Sequence, residues 1–382
     1  MSVPEQFTGF AVFDPSESTW SSVGEYKFTP KPFESTDVDI QITTCSICGS
    51  DAHAARNGWK KPNAQFPLVP GHEIIGKVVR VGEGVENFKV GDRVGVGAQS
   101  QACLQPTCKM CSSNNEIYCP KLVHTFGGYY ENADGSKTFS QGGYSNYVRI
   151  NEYFVFHIPK ELSDEEAAPF LCAGVTTYSP LVRNIPFDVI QRGEKPKVGI
   201  VGLGGLGMMA IQFAKALGYE TYVFSRGEGK REDAMKLGAD RVIITGGSST
   251  GNWIDDVEEN KDIKFELDLV VCTANSAENF DLNTYLKVLK INGKWVSVGL
   301  PETPFTVSPR TFMANACFMG ASHLGSHVEM VEMFKLAVEK NIRPWVECLP
   351  MSAENCKLGL EKCHYNKCRY RVALTNVDKA FA

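Results

Sequence analysis

The chain has no uninterrupted apolar run near the ~18 residues that a membrane-spanning helix needs, which argues against a bilayer span. It has no dense basic run, and its formal net charge is −5. Neither nucleic acid nor an anionic membrane surface is therefore an expected partner. The first 30 residues lack the charged segment and apolar core of a secretory leader, and the final tripeptide Ala380-Phe381-Ala382 is not a peroxisomal address. No internal repeat and no low-complexity tract is visible. Cysteine is the exception to this plainness. Its count of 13 is odd and occurs without a leader, which fits thiols kept reduced in the cytoplasm as ligands or small core residues.

At 382 residues, with 43% hydrophobic and 22% charged, the chain has room for two domains with sizeable cores. The first part is rich in short β-type runs broken by Gly, Pro and Asp. Val38–Ile42 alternates with period two, and Ile74–Val81 is another such run, so this part reads as barrel-like β structure. From Leu162 the pattern changes. Ser163 and Glu166 form a helix-starting capping box, and strand-like runs then alternate with helical ones. The strand runs are 197–202, 220–225, 241–245, 267–274 and 293–300, with an apolar helix over 207–218. This alternation predicts a doubly wound parallel sheet. A further strand over 317–324, a helix over 328–339 and a mixed tail follow.

Cys103, Cys108, Cys111 and Cys119 crowd into one short stretch with the spacing C-x4-C-x2-C-x7-C, the pattern of a closed four-thiolate zinc site. A scattered set, Cys48, His72, Glu73 and Cys172, offers mixed ligands, but spacing alone cannot pair residues so far apart. Three of these would leave an exchangeable position for Glu73, water or substrate. By itself His72 reads more readily as a hydrogen-bonded turn histidine. Cys363 and Cys368 flank His364 but supply only three donors, so they read as structural.

The run Val198–Val201 leads into Gly202-Leu203-Gly204-Gly205-Leu206-Gly207, a G-x-G-x-x-G between a strand and a helix. Gly202 permits the tight turn, Gly204 lets backbone approach a pyrophosphate, and Gly207 permits close helix–strand packing. At the end of the next strand an acid would bind a ribose 2′-OH. Here Ser225 stands there instead, with Arg226 and Lys230 nearby for a 2′-phosphate, so NADP(H) is the expected cofactor.

Gly71-His72-Glu73-Ile74-Ile75-Gly76 followed by Gly82 matches GHE-x2-G-x5-G. With Cys48-Gly49-Ser50-Asp51, the cysteine lobe and the glycine turn, the chain resembles the zinc-containing alcohol dehydrogenases of the medium-chain dehydrogenase/reductase superfamily. Cys172–Thr176, Ser225-Arg226 and Lys230–Ala234 resemble its cinnamyl-alcohol-dehydrogenase branch, nearest in look to fungal NADPH-dependent enzymes of broad specificity. The resemblance implies an α/β fold: a GroES-like β-barrel catalytic domain over 1–161 carrying the zinc lobe at 103–119, a Rossmann domain over 162–311, and a 312–382 segment returning to the first domain. It implies two zinc ions per chain, one catalytic at Cys48, His72, Glu73 and Cys172, one structural at the four-cysteine lobe. It adds Thr176 to the cofactor residues and implies a proton path through Ser50 to His53. The implied activity is hydride transfer between NADPH and an aromatic or medium-chain aldehyde, in a homodimer. Reduction of conjugated C=C or iminium bonds and polyol oxidation are the rivals within the superfamily; a zinc-ribbon binding protein is a remote one. Two features depart from the family. Cys103 and Cys108 are four residues apart rather than two, with Gln105 where the first cysteine is expected, and the loop between Trp59 and Gly71 is longer than usual.

Overall fold

The computed structural model describes residues 3–246 and 251–381. Its contacts divide the chain into two units. The first comprises Met1–Ala173, Ser326–Val338 and Arg343–Ala382; the second comprises Gly174–Gly325 and Glu339–Ile342.

The first unit is organised by a seven-stranded sheet. In spatial order its strands are Val155–His157, Arg93–Val96, Ile74–Val81, Asp37–Ile47, Arg371–Thr375 and Val346–Pro350, with Tyr147–Asn151 also paired to Asp37–Ile47. The pairings are antiparallel except that between Val346–Pro350 and Arg371–Thr375. Strand Asp37–Ile47 is the spine. Its Val38, Ile40 and Ile42 are fully buried and join Val78, Val94, Val96, Ile150 and Leu374 in one core. Alternate residues of a pleated strand share a face, so the period-two run sets these apolar residues on one side, while Asp37 and Asp39 on the other are buried as well, Asp39 against Arg149. The strand ends at Ile47, so Cys48 is delivered at a sheet end and opens helix Gly49–Ala55.

Residues 162–172 belong to this first unit, although the sequence pattern changes from β to helical there. Ser163 caps helix Asp164–Ala167: Glu166 N–H donates to Ser163 Oγ (3.3 Å), and Ser163 N–H donates to Glu166 Oε2 (3.0 Å). The next residue, Asp164, accepts from Arg93 Nε and from Thr43 Oγ1, each at 2.7 Å, and so pins the helix to the first sheet. The division between units consequently falls at Ala173–Gly174, later than the change of pattern.

The second unit holds a six-stranded parallel sheet in the order Arg241–Ile244, Glu220–Ser225, Lys197–Val201, Leu267–Cys272, Leu289–Ser297, Phe318–Ala321. Apart from Lys197 and Asp268 near their starts, its central strands are apolar because both faces are covered. The strand order reverses beside Lys197–Val201, and the carboxyl ends of strands at such a switch point are where ligands bind in doubly wound sheets. Helix Gly205–Ala216 follows that strand directly, two residues earlier than its apolar pattern suggests. Among the described residues, no helix is long and apolar enough to cross a membrane.

Candidate metal centres and nucleotide turn

The donor atoms of Cys48, His72, Glu73 and Cys172 lie within 4.8 Å of one another, and all four residues are buried. The Cys48 and Cys172 sulfurs are 3.9 Å apart. A tetrahedral shell with zinc–sulfur bonds of about 2.3 Å separates two thiolates by roughly 3.8 Å, so this spacing fits zinc and excludes a disulfide. The contact with Cys172 holds the Cys48 thiol well below its ordinary range, and the same contact pushes Cys172 up.

The histidine is held from one side. Asp51 Oδ1 lies 3.3 Å from His72 Nδ1, while His72 Nε2 is buried without a hydrogen-bond partner. A metal would satisfy that nitrogen. Asp51 sits in the first turn of helix Gly49–Ala55 and also accepts from Cys48 N–H (2.9 Å), Gly71 N–H (3.2 Å) and Tyr144 OH (3.2 Å). One fully buried carboxylate thus fixes Cys48 and His72 together.

Glu73 is also fully buried. Its Oε2 accepts from Ser46 Oγ and from the Arg371 guanidinium, and its Oε1 accepts from Ala173 N–H at 3.4 Å. Burial pushes this carboxyl up to about 7, against the pull of Arg371. Neither Arg371 nor the orienting role of Asp51 is legible in the sequence, since both depend on contacts between distant residues. The one available hint for Arg371 was a guanidinium heading an otherwise apolar strand, Arg371–Thr375.

The lobe cysteines Cys103, Cys108, Cys111 and Cys119 form a second group whose sulfurs lie within 4.8 Å of one another. Cys103 Sγ is 3.7 Å from Cys111 Sγ and 3.5 Å from Cys119 Sγ, again zinc-like spacing. The unusual C-x4-C spacing is accommodated by backbone. Leu104 adopts φ 49°, and Cys108 N–H donates to Gln105 C=O (2.9 Å), so a turn returns Cys108 to Cys103. The Cys111 backbone N–H pulls the Cys108 thiol down to about 7, which favours the thiolate that binds metal.

Ser50 and His53 lie one turn apart on helix Gly49–Ala55. Ser50 Oγ is 3.6 Å from Cys48 Sγ, and the His53 ring stacks on Trp59 at 4.9 Å. In the second unit, Gly202 has φ +91°, a conformation that strains any residue with a Cβ. A Cβ on Gly207 would meet the Gly202 carbonyl oxygen at 2.1 Å, whereas one on Gly204 would meet nothing within 4 Å. The turn is therefore closed by Gly202 and Gly207 and open at Gly204. Leu203, Gly205 and Leu206 complete it, and helix Gly205–Ala216 offers its N-terminal N–H groups there. Ser225 Oγ donates to Gly227 C=O (2.9 Å), and Arg226 is exposed. Lys230 Nζ donates to Leu203 C=O (2.6 Å) and so braces the glycine turn. Thr176 Oγ1 is buried without a hydrogen-bond partner, the state of an atom suited to accept a ligand contact.

Residues 34–160 match the family model for the alcohol dehydrogenase GroES-like domain, and residues 205–339 match that for zinc-binding dehydrogenases. The NADP-dependent alcohol dehydrogenase 6 of Saccharomyces cerevisiae is 43% identical over 383 residues, covering 100% of both chains. The chain belongs to the zinc-binding alcohol dehydrogenases. Among solved structures of this family, a cinnamyl alcohol dehydrogenase from Sorghum bicolor superposes with a TM-score of 0.84 at 33% identity, covering 98% of each chain. A Helicobacter pylori counterpart in complex with NADP(H) gives 0.82 at 33%, covering 98% of this chain and 99% of that one. Zinc-binding alcohol dehydrogenases are built on the GroES-like and Rossmann architecture described above.

Proposed function

We propose that the protein is a zinc-dependent, NADP(H)-linked alcohol dehydrogenase whose favoured substrates are aromatic or medium-chain aldehydes and their alcohols. The observation that carries this reading is the buried Cys48, His72, Cys172 and Glu73 cluster with Ser50 beside it. Cys48, His72 and Cys172 would hold the ion, and Glu73 would supply the exchangeable fourth donor. When bound, zinc supplies Lewis acidity toward a carbonyl and NADPH supplies hydride.

The remaining work falls to the chain itself. Ser50 Oγ hands a proton to the nascent alcohol oxygen and is reprotonated along the His53 side of the same helix. Residues three apart share a helix face, and a histidine exchanges protons readily near physiological pH. Asp51 keeps His72 and Cys48 in place while this happens. Reduction consumes one aldehyde, one NADPH and one proton, and yields one alcohol and NADP+.

Ser225 in place of an acid, with exposed Arg226 next to it, supports NADP over NAD. The reading includes a cytoplasmic homodimer. Cysteine usage supports the compartment, and the edge strand Phe318–Ala321, exposed at every residue, supports pairing with its own copy. Assaying a panel of aldehydes, imines, conjugated enals and polyols for NADPH or NADP+ turnover tests the substrate class. Aldehyde reduction should lead the panel; turnover confined to imines, C=C bonds or polyols would overturn it.

A further inference from the structure

Cys363 and Cys368 fall outside both metal clusters. Cys363 lies in the last turn of helix Ala353–His364. The helix is closed by Asn366 in the left-handed region (φ 54°). Lys367 N–H donates to Lys362 C=O (2.8 Å) and Asn366 N–H donates to Cys363 C=O (3.3 Å). This double closure is a Schellman turn, and it folds the chain back on the helix end. It brings the Cys368 sulfur into hydrogen-bond contact with the Cys363 thiol. Spacing alone makes both structural cysteines; their contact gives them chemistry that spacing does not reveal.

We propose that Cys363 and Cys368 form a reversible redox pair, a dithiol that peroxides oxidise to an intrachain disulfide. Six of the other cysteines are gathered in the two metal clusters. Cys45, Cys272, Cys317 and Cys356 are buried, and Cys348 is exposed. Cys363 and Cys368 are both partly exposed, and Tyr365, Asn366 and Lys367 between them are exposed, so a small oxidant can reach the turn. The Cys368 contact and burial keep the Cys363 thiol protonated. The first attack is therefore assigned to Cys368, since Cys363 is the thiol held protonated.

The Cys368 thiolate attacks one oxygen of hydrogen peroxide. The O–O bond breaks, and the departing hydroxide takes up a proton to become water. Cys363 Sγ then attacks the sulfenic sulfur, its proton leaves with the S–OH oxygen, and a second water departs. Two thiols lose two protons and two electrons, and one peroxide becomes two waters. Disulfides of this transient kind serve redox sensing in reducing compartments.

The bond would bring the sulfurs to about 2.05 Å, closer than any hydrogen-bond contact, so the turn must tighten. Two links carry that change toward the metal cluster. Arg371, three residues past Cys368, pairs with Glu73. His364, beside Cys363, lies 3.3 Å from Arg56 Nη1 and against Trp20 (ring centroids 5.2 Å), at the end of the helix that bears Ser50 and His53. Oxidation therefore lowers turnover.

The test exposes the zinc-loaded enzyme to hydrogen peroxide, alkylates the remaining thiols after denaturation and maps the peptides by mass. The expected product is a Cys363–Cys368 cross-link, about 2 Da lighter than the reduced form and reversed by dithiothreitol. Cys368→Ser should not form it. Turnover should fall roughly threefold or more in the oxidised wild type and recover on reduction, since small displacements near a site are costly. Turnover of the Cys363→Ser/Cys368→Ser double variant should resist the same treatment. Full alkylation of both cysteines in the peroxide-treated wild type would overturn the pair, a result that needs no variant to fold. Equal inactivation of the wild type and the double variant would overturn the link to activity.

Discussion

Asp51 Oδ1 lies 3.3 Å from His72 Nδ1, and the same carboxylate accepts from Cys48 N–H. A single residue outside the ligand set therefore orients two of the four donors. Such partners typically contribute 10–100-fold in metal affinity, so Asp51→Asn should weaken the catalytic zinc by about that factor. Zinc content after chelator competition should fall from two ions per chain toward one, with the lobe zinc retained. Two tightly held ions in Asp51→Asn would contradict the role given to Asp51.

The lobe makes a separate prediction. Metal-binding energy at a closed four-thiolate site is folding energy. Cys103→Ser should lose one zinc and lower thermal stability as much as Cys108→Ser does, because Cys103 is a full member of the cluster despite its spacing. Metal analysis with thermal melts checks this. A Cys103→Ser variant that keeps both ions would contradict it.

The glycine turn was legible in the sequence because its roles fall on consecutive residues. Gly202 takes the strained φ and Gly207 meets the Gly202 carbonyl, as tight-turn and close-packing glycines must. The lobe was legible too, since its donors lie within one loop. Other features depend on residues far apart in the chain. Arg371 reaches Glu73 across 298 positions, and no local pattern encodes that pair. The ammonium of Lys230 also donates to the Leu203 carbonyl, a partner set by tertiary placement that charge alone does not encode. The contact division at Ala173–Gly174 lies later than the change of pattern at Leu162, because Asp164 ties a helical segment to Arg93 and Thr43 of the first sheet.

Those two cationic residues should separate in cofactor binding. Arg226→Ala should weaken NADPH by about 1.5–3 kcal/mol, the range for a hydrogen bond to a charged group, and leave NADH nearly unchanged. Lys230→Ala, which loosens the glycine turn itself, should weaken both cofactors. Dissociation constants from fluorescence titration check the pair. Equal losses of NADPH and NADH in Arg226→Ala would contradict the 2′-phosphate role.

Ser50→Ala should lower kcat for aldehyde reduction by about 10²–10⁴-fold, the usual contribution of a general acid–base step. Zinc content and NADPH affinity should stay near wild type, since Ser50 is not in the ligand set. His53→Ala should lose less, because water can substitute further along the path, and should alter the pH profile. Full activity in Ser50→Ala would remove the proton path and favour reduction of a bond that needs no alcohol proton.

The most direct test of the account is kcat/KM for an aromatic aldehyde with NADPH and with NADH, measured on the two-zinc enzyme and on Cys172→Ala. The wild type should prefer NADPH by about tenfold or more, equivalent to roughly 1.4 kcal/mol. Cys172→Ala should lose the activity together with one zinc. Equal use of the two cofactors, or aldehyde reduction that survives in Cys172→Ala, would contradict a zinc-dependent, NADP(H)-linked alcohol dehydrogenase.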